Sequence, residues 1–456
     1  MNRTTKGLLV IGAILVLSYP AIAWVTGVAI ESRMQHGEQQ VLGRTPYLAL
    51  VKREYHRGIY RSTETATYGF RNPALQTLSS AGGVALPTAA TLTVTSNIQH
   101  GPFPGMHSMA LATVDSTIVV PPALQRELAG ALGSKPILQV HSTVKLLGGA
   151  SADLTSPAFS LRLPDGSTLT WGGLTGTVDS ARDQARWTGQ LSAPRLAFQG
   201  AQGAFELAGV AYSGSHTKAF DDLYVGTGTL TIERLDGRTP RSGGQFSVDR
   251  ISLVSTSSVA GEFIDMRVDT GADAAKIAAV TLKNLTYSVG FEHIHGPSLE
   301  AMARQVRAVQ RQSGADPKQL QAGLQDAFRQ YGGDLVQHDP VIDIRQIGFS
   351  MPEGSFVFSA RLGAPGLSPA DLKWPAVILA LRTHAQITAD LRVDDALLRK
   401  LLAMGGSNPK IAAQLASLEQ QGYLTTVSTA LATHLEYSGG KLTLNGHPFP
   451  SAAPVN

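Results

Sequence analysis

Four sets of residues in this 456-residue chain have the types and spacing that chemistry could use. Ser142-Thr143-Val144-Lys145 has the Ser-x-x-Lys spacing of serine acylating enzymes, where a lysine one helical turn on takes the serine proton. That needs the serine at a helix start. Residues 138–146 instead alternate as a strand, which puts Ser142 and Lys145 on opposite faces, and no Lys-Thr-Gly partner is present. His293 and His295 flank Ile294 in a strand, so both imidazoles point the same way and could share a metal. No third or fourth ligand is identifiable, and a single such pair is compatible with chance in a chain with 12 histidines. Asp394-Asp395 reads as a helix N-terminus and Asp221-Asp222 as a turn. The fourth set is Tyr55, His56, Arg57 and His100, a phenol, two imidazoles and a guanidinium in motif loops that could converge. An unfamiliar envelope hydrolase or transferase would be built there. The chain has no Walker-type phosphate loop, no His-Glu-x-x-His and no Gly-x-Ser-x-Gly. The reading is therefore non-enzymatic, with no catalytic, cofactor-binding or metal residue and no cofactor expected; a structural envelope scaffold without a ligand is the other alternative.

The elements that would hold these residues are mostly strands. Ala385, Ile387, Ala389, Leu391 and Val393 alternate with His384, Gln386, Thr388, Asp390 and Arg392, and Ile264, Met266 and Val268 alternate with Asp265, Arg267 and Asp269. That period of two marks strands with one dry face and one wet face. Further strands are expected at 47–53, 59–68, 91–98, 138–146, 167–179, 184–191, 203–212, 223–234, 244–255, 276–291, 341–349, 355–362 and 429–446, with turn residues between them. Amphipathic helices are expected after Gly296-Pro297, from Asp316-Pro317 to Gly332-Gly333, over Asp394–Met404 and Pro409–Gln421, and briefly after Pro122. The fold class is mainly β (α+β), an elongated antiparallel body with a few helices.

Location follows from the N-terminus. Gly7–Ile30 carries no charged residue. As a helix it would span roughly 36 Å, enough for a hydrocarbon core of about 30 Å. Arg3 and Lys6 precede it and Glu31 follows, so the basic end stays cytoplasmic and the body lies outside the inner membrane. Ala21-Ile22-Ala23 also fits a signal-peptidase site, but the apolar run continues past it through Trp24, Val25, Val28 and Ile30. The expected order is a cytoplasmic tail 1–6, an anchor 7–30, a helical stalk 31–45 that becomes a loop at Gly43, a β-rich region 46–295 and an α+β region 296–456. With no cysteine there are no disulfides, thiolate catalysis or Cys-ligated metals. The net charge of +4 is scattered, without Lys/Arg runs interleaved with aromatics, so nucleic acid is not an expected partner. The expected partners are the membrane and a lipid-like ligand or another envelope protein; the oligomeric state stays open.

Three turn motifs stand out: Tyr55-His56-Arg57-Gly58 joining two strands, the second continuing through Tyr60 and Ser62, a rigid corner at His100-Gly101-Pro102-Phe103-Pro104, and a tight hairpin of Tyr437, Gly439-Gly440 and Leu442-Thr443-Leu444-Asn445-Gly446. His100-Gly101-Pro102 is echoed by His295-Gly296-Pro297, which leaves open a duplicated unit or a chance recurrence. With Ala23-Trp24, Thr26-Gly27 and Ile30-Glu31, these motifs in this order resemble the YdgA-like family of Gram-negative envelope proteins, a domain of unknown function. The resemblance implies one uncut inner-membrane helix and a periplasmic β-rich body. It implies no catalytic residues.

Overall fold

The computed structural model describes the backbone of residues 3–45, 48–70, 90–106, 109–119, 128–163, 165–201, 203–239, 244–313, 317–368, 370–373, 376–404 and 409–450. Side chains of residues 3–18 lie outside that description. Helix α1 (Arg3–Arg44) ends one residue past Gly43, where the stalk is expected to become a loop. The charge-free stretch 7–30 is contained in it. Among the described residues no helix is long and apolar enough to cross a membrane. The start of the short helix expected after Pro122 falls outside the described residues, while 128–132 are helical.

The chain divides into two compact units. One comprises residues 1–204, 211–217 and 306–323, the other 205–210, 218–305 and 324–456. In the first, strands β1 (Leu48–Arg57), β2 (Arg61–Phe70), β3 (Ala90–His100), β4 (Ala112–Val119), β5 (Gln139–Val144) and β6 (Ala150–Ser156) form an antiparallel meander. It continues through β7 (Phe159–Arg162), β8 (Thr168–Trp171), β9 (Leu174–Ser180) and β10 (Arg186–Gly200). There β9 pairs with β6 and β10, and β8 pairs with β7 and β10. The single strand expected over 167–179 is thus two, broken at Gly172-Gly173, where Gly173 takes φ +93°. Strands β4, β6 and β7 were not apparent in the sequence. The core of this unit is Ile30, Ile98, Ala112 and Val114, with Met34, Tyr55, Leu111 and Val144 packed on it. A second cluster joins Leu128, Leu132 and Leu161.

Strand β11 (Gly203–Lys218) contributes residues to both units. In the second unit β12 (Tyr224–Thr239), β13 (Gly244–Ala260), β14 (Phe263–Ile277), β15 (Val280–His295), β16 (Val341–Met351), β17 (Gly354–Gly363) and β18 (Gln386–Asp394) pair antiparallel in sequence order. Then β19 (Thr425–Val427), β20 (Ala430–Ser438), β21 (Lys441–Leu444) and β22 (His447–Pro448) follow, with β20 on β18, β19 and β21 on β20, and β22 on β21. The run expected as one strand at 276–291 turns at Ala278, which takes φ +52°. The run at 429–446 reverses at Gly439-Gly440, both with positive φ, as a tight hairpin requires.

The helices are α2 (Gly296–Ser313), α3 (Pro317–Val336), α4 (Ala376–His384), α5 (Asp395–Met404) and α6 (Pro409–Gln420). Two expectations change. Helix α3 continues through Gly332-Gly333 to Val336, since two glycines cost a helix only about 2 kcal/mol and need not end it. His384 closes α4 instead of opening β18, which begins at Gln386.

Candidate functional site

The motif residues of the first unit converge, and what they build is a seat for α1. Along the helix Ala23, Gly27, Ile30, Met34 and Glu38 recur every three or four residues, so they share one face. Ala23 and Ile30 are fully buried on it. His100, the last residue of β3, lies across that face, and its Nδ1 sits 2.8 Å from the Ala23 carbonyl. A carbonyl can only accept, so Nδ1 carries the proton and Nε2 accepts from the Ser62 hydroxyl at 3.1 Å. The absence of a side chain at Gly27 makes the contact possible. A Cβ there would stand 2.7 Å from His100 Cε1. Burial pushes the His100 imidazole below its ordinary range, opposed by the bond to Ala23.

The same corner is closed from above. Gly101 takes φ +117° and faces Ala23 and the Tyr19 hydroxyl. Tyr19 donates to the Phe103 carbonyl at 3.0 Å and stacks on Tyr60 with centroids 5.7 Å apart. Pro102 and Pro104 fix the chain between β3 and a 3-10 turn at Pro104–Met106. Strand β1 supplies the other wall. Its alternation aims Arg53, Tyr55 and Arg57 one way and exposes Glu54 and His56 on the other. Arg57 pairs with Glu31. Arg53 pairs with buried Glu64 and lies 3.9 Å from Glu38, which also accepts from the Tyr68 hydroxyl at 2.6 Å. Burial pushes Glu64 up in spite of Arg53, and it pushes the Tyr68 and Tyr55 phenols up as well. The Tyr55 hydroxyl is buried close to Ser62 but makes no hydrogen bond of ordinary geometry among the described residues.

Ser62, His100 and the Ala23 carbonyl have the bonding order of nucleophile, base and orienting group. Their surroundings oppose that use. Ser62 is 2% and His100 1% exposed, and the imidazole lies on Gly27 with no space for a substrate. The expected grouping of Tyr55, His56, Arg57 and His100 loses His56 to the opposite face. Gly58 belongs to the β1–β2 turn, where a Cβ would lie 2.4 Å from the Arg61 carbonyl, and Tyr60 is in that turn instead of the second strand. The sequence motifs missed Tyr19, Glu38, Arg53, Glu64 and Tyr68. The small residues Ala23 and Gly27, four apart, were the available signal of close approach.

The remaining candidates resolve locally. Ser142 is in β5 and Lys145 follows it, 3.1 Å from Asp179. His293 and His295 share a side of β15, His293 stacked on Phe263 and His295 on His338, both with centroids 3.9 Å apart. Among the described residues no group of three or more His, Asp or Glu is placed to hold a metal. Asp394-Asp395 stands at the start of α5, as the sequence reads; Asp394 also accepts from Ser355 N and Oγ at 2.7 and 3.0 Å, while Asp395 pairs with Arg399. Asp221-Asp222 is in a bend, as expected. Tyr437, Asn445 and Gly446 belong to the second unit. Tyr437 donates to the Arg382 carbonyl at 2.9 Å. Asn445 accepts from His434 N at 2.8 Å and donates to the Gly422 and Tyr423 carbonyls, and Gly446 completes the turn with φ +78°.

A family model described as a bacterial protein of unknown function (DUF945) matches residues 1–452. No curated protein and no solved structure matches the chain.

Proposed function

From the premise that the chain belongs to the bacterial family of unknown function DUF945, we propose a non-catalytic envelope protein, held in the inner membrane by residues 7–30, whose β-rich body stands in the periplasm and binds a lipid-like molecule or another envelope protein. The resemblance to YdgA-like proteins belongs to this reading. The observation that carries it is the use made of the chemistry-capable residues. Ser62 and His100, the nearest approach to a nucleophile and base, are spent on seating α1 and are sealed beneath it. A joint of that kind makes helix and sheet one body, which suits a tether that must hold its load at a fixed attitude. The charge-free run inside one continuous helix, with Arg3 and Lys6 before it, supports the anchor and its direction.

The test has two arms. Membranes from cells expressing the full chain are washed with alkaline carbonate, and intact spheroplasts are treated with protease. The reading expects the chain to stay with the membrane and its body to be digested. Detergent-purified chain is then analysed for co-extracted lipid by mass spectrometry, beside photo-crosslinking in cells. Release by carbonate or protection of the body overturns the location, and the absence of both lipid and a crosslinked protein overturns the binding role.

A further inference from the structure

The connection after β3 meets α1 at a level where, if the helix spans the bilayer as proposed above, lipid must be. We infer that the turns following β1 and β3 dip into the periplasmic leaflet of that same bilayer, embedding Ile59, Tyr60, Phe103, Met106 and Met109. The inference rests on the anchoring and adds a depth to it. Arg3 and Lys6 fix the cytoplasmic end, since sliding the helix outward would draw both cations into hydrocarbon. Tyr19 is 12 residues beyond Gly7. At 1.5 Å per residue that is about 18 Å, so in a core of about 30 Å it lies roughly 12 Å short of the far boundary. Tilting the helix only lowers its rise and sets Tyr19 deeper. Yet Tyr19 is hydrogen-bonded to Phe103 O and stacked on Tyr60. Protein therefore occupies that level.

The composition of those turns suits lipid. The turn after β3 lies in a stretch, 72–114, with no Asp, Glu, Lys or Arg. The turn after β1, Gly58–Tyr60, is itself uncharged but is bounded by Arg57, which pairs with Glu31, and by Arg61, whose long side chain must reach back to the headgroups. Met106 is 81% and Met109 70% exposed, and Ile59, Tyr60 and Phe103 are each about half exposed. Beside them on α1, Ile22, Trp24 and Val25 are exposed as well, so the apolar surface of the turns continues that of the helix. Backbone in hydrocarbon must satisfy its own donors. Gly101 N–H donates to Leu111 O and Met106 N–H to Phe103 O, while Pro102 and Pro104 have no N–H to satisfy. Trp24, 17 residues beyond Gly7, comes within about 5 Å of the far boundary, where the amphipathic indole is favoured.

The chain has no cysteine, so single substitutions give unique labelling sites. Met106→Cys, Met109→Cys and, as a control, Gln39→Cys are labelled with an environment-sensitive fluorophore in the full chain. Each is reconstituted into phosphatidylethanolamine–phosphatidylglycerol vesicles. Gln39 is exposed on α1, about 50 Å along the helix from Lys6 and so clear of the core. The expected result is blue-shifted emission at 106 and 109, quenched severalfold more by acyl-chain nitroxide than at 39 and severalfold less by aqueous iodide. Carbonate resistance is measured on the same vesicles. A resistant chain whose Met106 and Met109 labels respond like Gln39 overturns this inference and leaves the anchor standing. A label shielded from iodide but blind to the nitroxide means a protein covers this face, and that also overturns it. Extraction by carbonate overturns both readings.

Discussion

Two glycines of one helix should respond oppositely to the same substitution. Gly27 and Gly37 both lie within α1, and nothing stands within 4 Å of a Cβ built on Gly37. Gly37→Ala therefore collects only the helix-propensity gain, about 0.5–1 kcal/mol. At Gly27 the new methyl would lie 2.7 Å from His100 Cε1 and 3.0 Å from both ring nitrogens. His100 is buried and held at both nitrogens, so the ring cannot swing away without breaking its bond to Ser62 or Ala23. Overpacking of a filled site costs about 1–3 kcal/mol. A weakened buried hydrogen bond adds about 1 kcal/mol. Against the propensity gain this leaves Gly27→Ala less stable by about 1–3 kcal/mol, and the two variants about 2–4 kcal/mol apart. In thermal unfolding of the detergent-solubilised full chain, each kcal/mol should move the transition of a unit this size by about 2–4 °C. The His100→Ala background supplies the check on cause. With the ring gone, Gly27→Ala should become neutral or stabilising, a coupling that only contact produces. Equal stability of Gly27→Ala and Gly37→Ala would refute the seat.

Two further outcomes follow from the same joint. Because burial depresses His100, the unfolded chain takes up a proton near pH 6.5 where the folded chain does not, so its contribution is present above that pH and is lost as pH falls through it; stability of the wild type should drop from pH 7 to 5 more steeply than that of His100→Gln, and equal slopes in urea unfolding would count against the assignment. Glu64 is shifted the other way and is held ionised by Arg53; Arg53→Met should cost roughly 3 kcal/mol at pH 7.5, as loss of one partner from a buried pair does, and progressively less as the pH is lowered and Glu64 becomes protonated, whereas a pH-independent loss would argue for packing alone.

The strands were legible where alternation was clean. Gln386–Asp394 reads wet and dry by turns in sequence and in burial, because one face of β18 meets water. Strand β4 was missed for the converse reason. Its first residues Ala112, Thr113 and Val114 are all buried, so no alternation marked them. The glycine pair in α3 misled because a helix end is a local preference of about 1 kcal/mol per residue that packing overrides. The seat itself was legible only as a set of names. Tyr55, Ser62, His100 and Gly101 stood out as corner residues, but a bond from His100 to Ala23 joins positions 77 apart and leaves no periodic trace. Nothing in spacing separates a histidine that works from one that locks.

The partners of α1 change in kind along its length, and the change has a physical reading. At Tyr19, Ala23 and Gly27 the helix meets neutral groups: a carbonyl, a phenol ring and an uncharged imidazole. From Glu31 onward it meets Arg57, then Arg53 and Tyr68 at Glu38, Gln184 at Gln40, and Arg311 at the Gly43 carbonyl. Neutral, fully satisfied contacts are the ones a low-dielectric medium tolerates. Ion pairs at intermediate exposure suit a protein surface that water reaches. The order follows from the sequence, since residues 7–30 carry no charge that could pair, and it is the order that the proposed exit from a bilayer requires. The sorting begins at Glu31, the residue that ends the charge-free run. The seat and the proposed membrane boundary are therefore two readings of one stretch of α1, and the depth of Met106 is the measurement on which they meet.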